Sequence, residues 1–239
     1  MQIRMIALAL VAGAAASSAN AQLLAYWNFN ASIQNSTSGQ LGQLTSTAAN
    51  AGVNAAGAGI TLGAGLSYNT ITAGTANGSV GTFAGDAGLI NGISGEVQGG
   101  ALTLVGNTGS SGTVSNNGKT ITFNFSTAGY SGITMAWSGR GTGSGFNNNK
   151  IETSTDGVTW TTQVASYSST NSSFALFSYG FTAAADNASN LRVRITFNGA
   201  TGGAGNNRID NLSFTAAIPA PGSLALLGLG GLVAGRRRR

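Results

Sequence analysis

The strongest regularity along the chain is a period of two. In KTITFNF, residues 119–125, Ile121, Phe123 and Phe125 fall on one face while Thr120, Thr122 and Asn124 fall on the other. GITMAW repeats this with Ile133, Met135 and Trp137, and LRVRITF repeats it with Leu191, Val193, Ile195 and Phe197. Such segments predict strands with one face on a core and one in water. KIETSTDGVTWTTQV predicts a hairpin turning at Asp156-Gly157, a pair suited to the positive φ angles of a tight turn. FALFSYGF and NRIDNLSF predict two more strands.

The first half is fainter. LLAYWNFNAS puts Trp27 and Phe29 on one parity and Tyr26 and Asn28 on the other, as in a half-buried opening strand. Residues 30–118 are rich in Gly, Ala, Ser, Thr and Asn, with Asp86 and Glu96 their only charges. Short strands are expected around 59–62, 66–72 and 101–105. No fixed repeat runs through this half, and the aspartates of a glycine-rich calcium β-helix are missing. No helical period of useful length occurs between residues 22 and 217. These patterns predict an all-β chain folded as an antiparallel β-sandwich over residues 22–217, legible at 119–214 and less so at 22–118.

The two ends break the pattern. MQIRMIALALVAGAAASSANAQ has a basic Arg4, an apolar stretch and then small residues, which predicts a signal peptide over 1–21. Ala19 and Ala21 form the A-x-A site, with cleavage before Gln22. The chain closes on IPAPGSLALLGLGGLVAGRRRR. Its apolar run, 222–235, would make a helix of about 21 Å against a hydrocarbon core of roughly 30 Å. Such a segment crosses a bilayer only by thinning it while the flanking arginines snorkel. Arg236, Arg237, Arg238 and Arg239 would remain cytoplasmic and leave the rest of the chain outside. The competing reading is a surface helix with a basic tail.

The charge balance changes meaning once these ends are set aside. The formal charge is +5, which by itself would suggest a nucleic-acid partner. Only Lys119, Arg140, Lys150, Arg192, Arg194 and Arg208 lie between the ends, against six acids, so the middle is formally neutral. No basic stripe exists to neutralise phosphates, and nucleic acid is excluded as a partner. There is no cysteine, which rules out disulfides and a lipid-modified cysteine.

The order Pro219-Ala220-Pro221, glycine- and leucine-rich span, terminal arginine cluster resembles the PEP-CTERM sorting signal of Gram-negative bacteria. Ala220 stands where that family carries glutamate. The resemblance covers residues 218–239. It implies an exosortase-like enzyme as partner, a transient stay in the inner membrane, processing near Pro219 to Pro221, and delivery to the cell surface or extracellular matrix. The segments TAGYSGITMAWSGRGTGSGF, STDGVTW and RITFNGATGGAGNNRIDNLSF also resemble a jelly-roll region of secreted bacterial proteins and, more distantly, galactose-binding-like sandwiches that include carbohydrate-binding modules. That resemblance implies a jelly-roll-like fold.

Candidate chemistry is sparse. Without His or Cys, the commonest bases, thiol nucleophiles and zinc ligands are missing, and no two of the six carboxylates are paired by spacing. No enzymatic activity and no cofactor are expected. GRGTGSG, 139–145, reads as a flexible loop shielding a sheet edge, because no helix follows to complete a phosphate cradle. Alternation puts Asp210 on the apolar side with Leu212 and Phe214. An inward carboxylate there needs a structural calcium, pairing with Arg208 or Arg140, or loop amides to cap. Sugar binding needs exposed aromatics beside hydrogen-bonding groups. Tyr130, Tyr167 and Tyr179 are candidates, whereas Trp27, Trp137 and Trp160 are assigned to the core. Arg192 and Arg194 share the outer face of their strand, where they either contact acidic polysaccharide or are simply solvated. The leading expectation is an exported, non-enzymatic surface or matrix protein. The alternative is an extracellular carbohydrate-binding module.

Overall fold

In the computed structural model the described residues are 21–35, 39–72, 75–110 and 112–217. Their strands, in chain order, are β1 (Ala21–Trp27), β2 (Ser32–Ile33), β3 (Gln43–Leu44), β4 (Gly59–Leu62), β5 (Ile71–Thr72), β6 (Thr75–Ala76), β7 (Val80–Ala84) and β8 (Gly100–Val105). There follow β9 (Lys119–Phe125), β10 (Ser131–Gly141), β11 (Asn149–Ser154), β12 (Thr161–Tyr167), β13 (Ala175–Gly180), β14 (Leu191–Phe197) and β15 (Asn206–Ala217). Two single 3-10 turns are present, and no α-helix occurs among the described residues. No helix there is long and apolar enough to cross a membrane. The apolar run at 222–235 lies outside the described residues.

Eleven of the strands form two facing antiparallel sheets, and β2–β3 and β5–β6 are separate two-stranded ribbons. The first has the order β13-β10-β15-β8-β7, and the second β12-β11-β14-β9-β4. From β8 onward the chain crosses between sheets at almost every connection, so the fold is an antiparallel jelly-roll-like β-sandwich. The core lies where the apolar parities meet: Ile121, Phe123 and Phe125 of β9 and Leu191, Val193, Ile195 and Phe197 of β14 face Ile133, Met135 and Trp137 of β10. Aromatic rings bridge the layers, with Phe125 4.4 Å from Phe214 and Trp27 5.5 Å from Phe123. Each such side chain, fully buried, contributes about 1.5–3 kcal/mol, and this contribution makes the alternating pattern decisive.

β15 organises the first sheet. One side pairs along its length with β10. The other pairs with two strands in succession, β8 from Asn206↔Val105 to Ile209↔Leu102, then β1 from Leu212↔Trp27 to Ala217↔Ala21. Between these partners β15 bulges. Ser138 pairs with Asp210 and Ala136 with Ser213, so three steps on β15 match two on β10, and Asn211 sits at φ +49°. An extra residue in one strand shifts every following side chain to the opposite face. Ile209 before the bulge, and Leu212, Phe214 and Ala216 after it, all reach the core. Asp210 therefore points to the outer face, which corrects the inward position that simple alternation implied.

Several local expectations shift. β1 is buried on both faces from Leu24 through Trp27, because residues 85–98 cover its outer side. Gly139, Arg140 and Gly141 belong to β10 and are not part of a loop. A Cβ at Gly139 would fall 2.7 Å from both the Trp137 and Phe177 rings, so glycine is needed for that stack. The Asp156-Gly157 hairpin exists, but its connection runs over residues 155–160 and is not a two-residue turn. Of the expected 66–72 strand, only Ile71–Thr72 is regular.

Candidate functional site

The outer face of the second sheet carries the most chemistry. Residues 192, 194 and 196 of β14 alternate outward beside Thr122 and Asn124 of β9 and beside Glu152 of β11. Arg194 pairs in register with Glu152 and reaches its carboxylate with Nη2 at 2.8 Å and Nε at 3.2 Å. Lys150 approaches the other oxygen at 2.9 Å. Burial opposes the Glu152 charge, but the hydrogen bonds and charges of Lys150 and Arg194 outweigh it and hold the carboxyl below its ordinary range. The guanidinium of Arg194 also lies 3.7 Å from the centroid of the Trp160 ring, a cation–π contact.

Trp160 occupies the end of the 155–160 connection. Asp156 shapes that connection by accepting hydrogen bonds from Val158 N and Thr159 N, each at 2.8 Å, and from Ser154 Oγ at 2.9 Å. These donors hold the Asp156 carboxyl far below the usual carboxylate range. Gly157 has φ +80°, which closes the turn and sets Trp160 onto the sheet instead of into it. A groove of about 540 Å³ results, lined by Trp160, Arg192, Asn124, Asn190, Thr122 and Asp156 among others.

The sequence-derived candidates separate cleanly. Arg192 lines the groove and Arg194 supports its tryptophan. Tyr130 is not part of it. Tyr130 packs half-buried against the core, and its carbonyl accepts a hydrogen bond from Asn187 N. Tyr167 is a buried core residue, 5.4 Å from the Trp137 ring, and Tyr179 packs beside the same ring. Both are corrected from glycan candidates to packing residues. Trp160 is corrected in the opposite direction, from core to groove. Its position just beyond an Asp-Gly turn was the one sequence signal that could have found it.

Asp210 lies beneath the covering segment of the first sheet. Its Oδ2 accepts from Asp86 N at 2.7 Å and its Oδ1 from Asn211 N at 2.8 Å. Burial, aided by the nearby charges of Asp86 and Glu96, pushes its carboxyl up to about 7 against the pull of those amides. N–H groups aimed at both oxygens present positive dipole ends where a cation would sit, so the arrangement is amide capping. Neither Arg208 nor Arg140 pairs with it, and among the described residues no three acidic side chains gather as a ligand set. Ala21 and Gln22 open β1 opposite Ala217 and Ala216. Ala19, Pro219, Ala220, Pro221 and Arg236 to Arg239 lie outside the described residues.

No protein-family model matches the chain, and no curated protein matches it. Among solved structures it is similar to a xylan-binding module CBM15, at 14% identity over 54% of this chain and 90% of that one, TM-score 0.38. It is also similar to the CBM22-1 xylan-binding domain from Paenibacillus barcinonensis Xyn10C, at 11% identity over 68% of this chain and 88% of that one, TM-score 0.42. The CBM22-1-CBM22-2 tandem domain of the same protein gives 10% identity over 87% of this chain and 50% of that one, TM-score 0.46. Likeness at this level says nothing about what this chain binds.

Proposed function

We propose that the chain is an exported, non-enzymatic protein that binds polysaccharide outside the cell through the groove on its second sheet. The observation that carries this is Trp160, a large half-buried aromatic held on the sheet surface by Arg194 and bordered in the groove by Asn124, Asn190, Arg192 and Asp156. An apolar ring face beside fixed carboxamide, guanidinium and carboxylate groups matches the alternation of C–H faces and hydroxyls on a sugar ring. The non-enzymatic part is supported by the occupation of all six carboxylates. Glu152 is ion-paired, Asp156 closes a turn, and Asp86, Asp186 and Asp210 accept backbone amides. Glu96 takes Asn30 Nδ2 at 2.8 Å and Tyr26 Oη at 2.9 Å.

Saturable binding to the host's own extracellular polysaccharide, weakened at least tenfold by Trp160→Ala and unchanged by Tyr130→Phe, is the expected result of a pull-down titration. Equal binding by Trp160→Ala would remove the groove from the account.

The route outward is read from the two ends. A signal peptide ending at Ala21 exports the chain, and the 218–239 tail is handled by an exosortase-like enzyme at the inner membrane of a Gram-negative bacterium, leaving the domain at the surface or in the matrix. Mass spectrometry of C-terminal peptides from cell fractions should find mature protein ending near Pro219 to Pro221 outside the inner membrane. Full-length chain ending at Arg239 and confined to the inner membrane would mean a plain anchor.

A further inference from the structure

On the first sheet, β10 and β15 bring Arg140 directly opposite Arg208 in register. Directly opposed residues of an antiparallel pair project from the same face, with Cβ atoms about 4.5–5.5 Å apart, and like charges so placed are destabilising. Both salt bridges among the described residues are formed by Glu152, on the other sheet. Arg208 instead meets neutral groups: Ala84 O at 3.3 Å, Asn206 Oδ1 at 3.4 Å and the Phe83 ring at 4.7 Å. Its burial, together with the charge of Arg140, lowers it to about 10.

The neighbouring acids do not neutralise this pair. Asp86 Oδ1 accepts from Gly88 N, and its Oδ2 accepts from Ile90 N and Ser138 Oγ, at 2.7–2.9 Å. Asp210 is turned to Asp86 N and Asn211 N. The backbone of Gly85 covers it so closely that a Cβ there would fall 2.4 Å from Oδ2. Arg140 and Arg208 line a cavity of about 540 Å³ together with Gln98, Ser172, Ser173, Phe174 and Asp86, whose carboxylate is taken up by the three donors above. Two planar donor forks, partly desolvated and in no ion pair among the described residues, suit an oxyanion with two or more acceptor oxygens. Hydroxyl and carboxamide groups at the rim suit the polar atoms around it.

We propose that Arg140 and Arg208 form an oxyanion site, separate from the Trp160 groove, that takes a carboxylate or sulfate group. The group could arrive as a small free anion or as part of an acidic polysaccharide, and the two sources separate in one experiment. The full chain in detergent is titrated calorimetrically, at constant ionic strength, with sodium sulfate, with oligogalacturonate and with neutral xylo-oligosaccharide.

The expected result is saturable binding of oligogalacturonate or sulfate that weakens at least tenfold in both Arg140→Gln and Arg208→Gln and persists in Trp160→Ala. Tighter binding of oligogalacturonate than of sulfate assigns the site to a polymer, and equal binding per charge assigns it to free anions. The unliganded Arg140→Gln protein should melt no lower than wild type, because the substitution relieves a like-charge contact. Equal affinity in the arginine variants, no saturation by either anion up to about 10 mM, or a marked fall in Tm of Arg140→Gln would overturn the proposal. Loss of binding in Trp160→Ala alone would count against a separate site while leaving the groove intact.

Discussion

The two outer faces of this sandwich solve the same problem differently. Each sheet must do something with the polar side of strands whose other side is buried. The second sheet leaves that side open and pairs its charges on the surface, with Glu152 bound to Arg194 on the neighbouring strand and to Lys150 on its own. The first sheet covers most of it with residues 85–98 and leaves the Arg140–Arg208 end beside a cavity. Asn91 Nδ2 reaches Asn211 O and Ala136 O, Asn211 Nδ2 reaches Ile90 O, and Asp86 and Asp210 accept backbone amides beneath the cover. An open face tolerates mobile, water-screened charge, whereas a covered face needs a partner for every polar atom. The comparison teaches where perturbation should be expensive and where a ligand can enter.

The largest effect should come from removing a carboxylate under the cover. Asp86→Ala leaves Gly88 N, Ile90 N and Ser138 Oγ without an acceptor and should cost about 3–5 kcal/mol in denaturant unfolding. A loss below about 1 kcal/mol would mean that water satisfies those groups and that the face is not dry.

Next in size is the pH dependence set by Asp210. Its folded pKa of about 7 lies above the unfolded value near 3.9, so the folded state binds more protons between them. Stability is therefore greatest below about pH 4 as far as this group is concerned, and falls as pH rises toward 7. The difference in unfolding free energy between wild type and Asp210→Asn should drift in that direction by roughly 2–4 kcal/mol across the window. A flat difference would show that the two amides compensate the burial fully. Glu152 has the opposite sign, since its lowered pKa contributes stability at neutral pH that is lost as pH falls through its folded value.

The smallest effect belongs to the open face. Glu152→Gln should destabilise by about 1 kcal/mol or less, because Lys150 and Arg194 are 40% and 26% exposed and their charges return to water. Should Glu152→Gln rival Asp86→Ala, the contrast between the faces would be wrong.

The second half was largely legible in the order of its residues. Strands β9, β10 and β14 follow the alternation seen at Ile121, Trp137 and Val193, and all three side chains are buried. The first half was faint because its strands are short and flanked by small residues, so burial has few large side chains to report it. β8 is buried at all six positions and therefore shows no alternation. Trp160 was misassigned for a related reason. An isolated tryptophan beside a turn carries no periodic neighbours to say which side of the sheet it takes.

Local chemistry alone determined the main strands of the second half, the apolar face of β9, β10 and β14, and that the middle is formally neutral between two chemically distinct ends. These follow from side-chain polarity at spacing two and from simple counting. Only tertiary pairing decided that Asp210 lies outside the core, that Arg140 meets Arg208, and that Asn91 clamps a loop over one sheet. Each depends on register between segments tens of residues apart, and a single positive-φ residue, Asn211, inverts the parity of everything after it. Alternation is a property of one strand, whereas the side it faces is decided by whichever strands it pairs with.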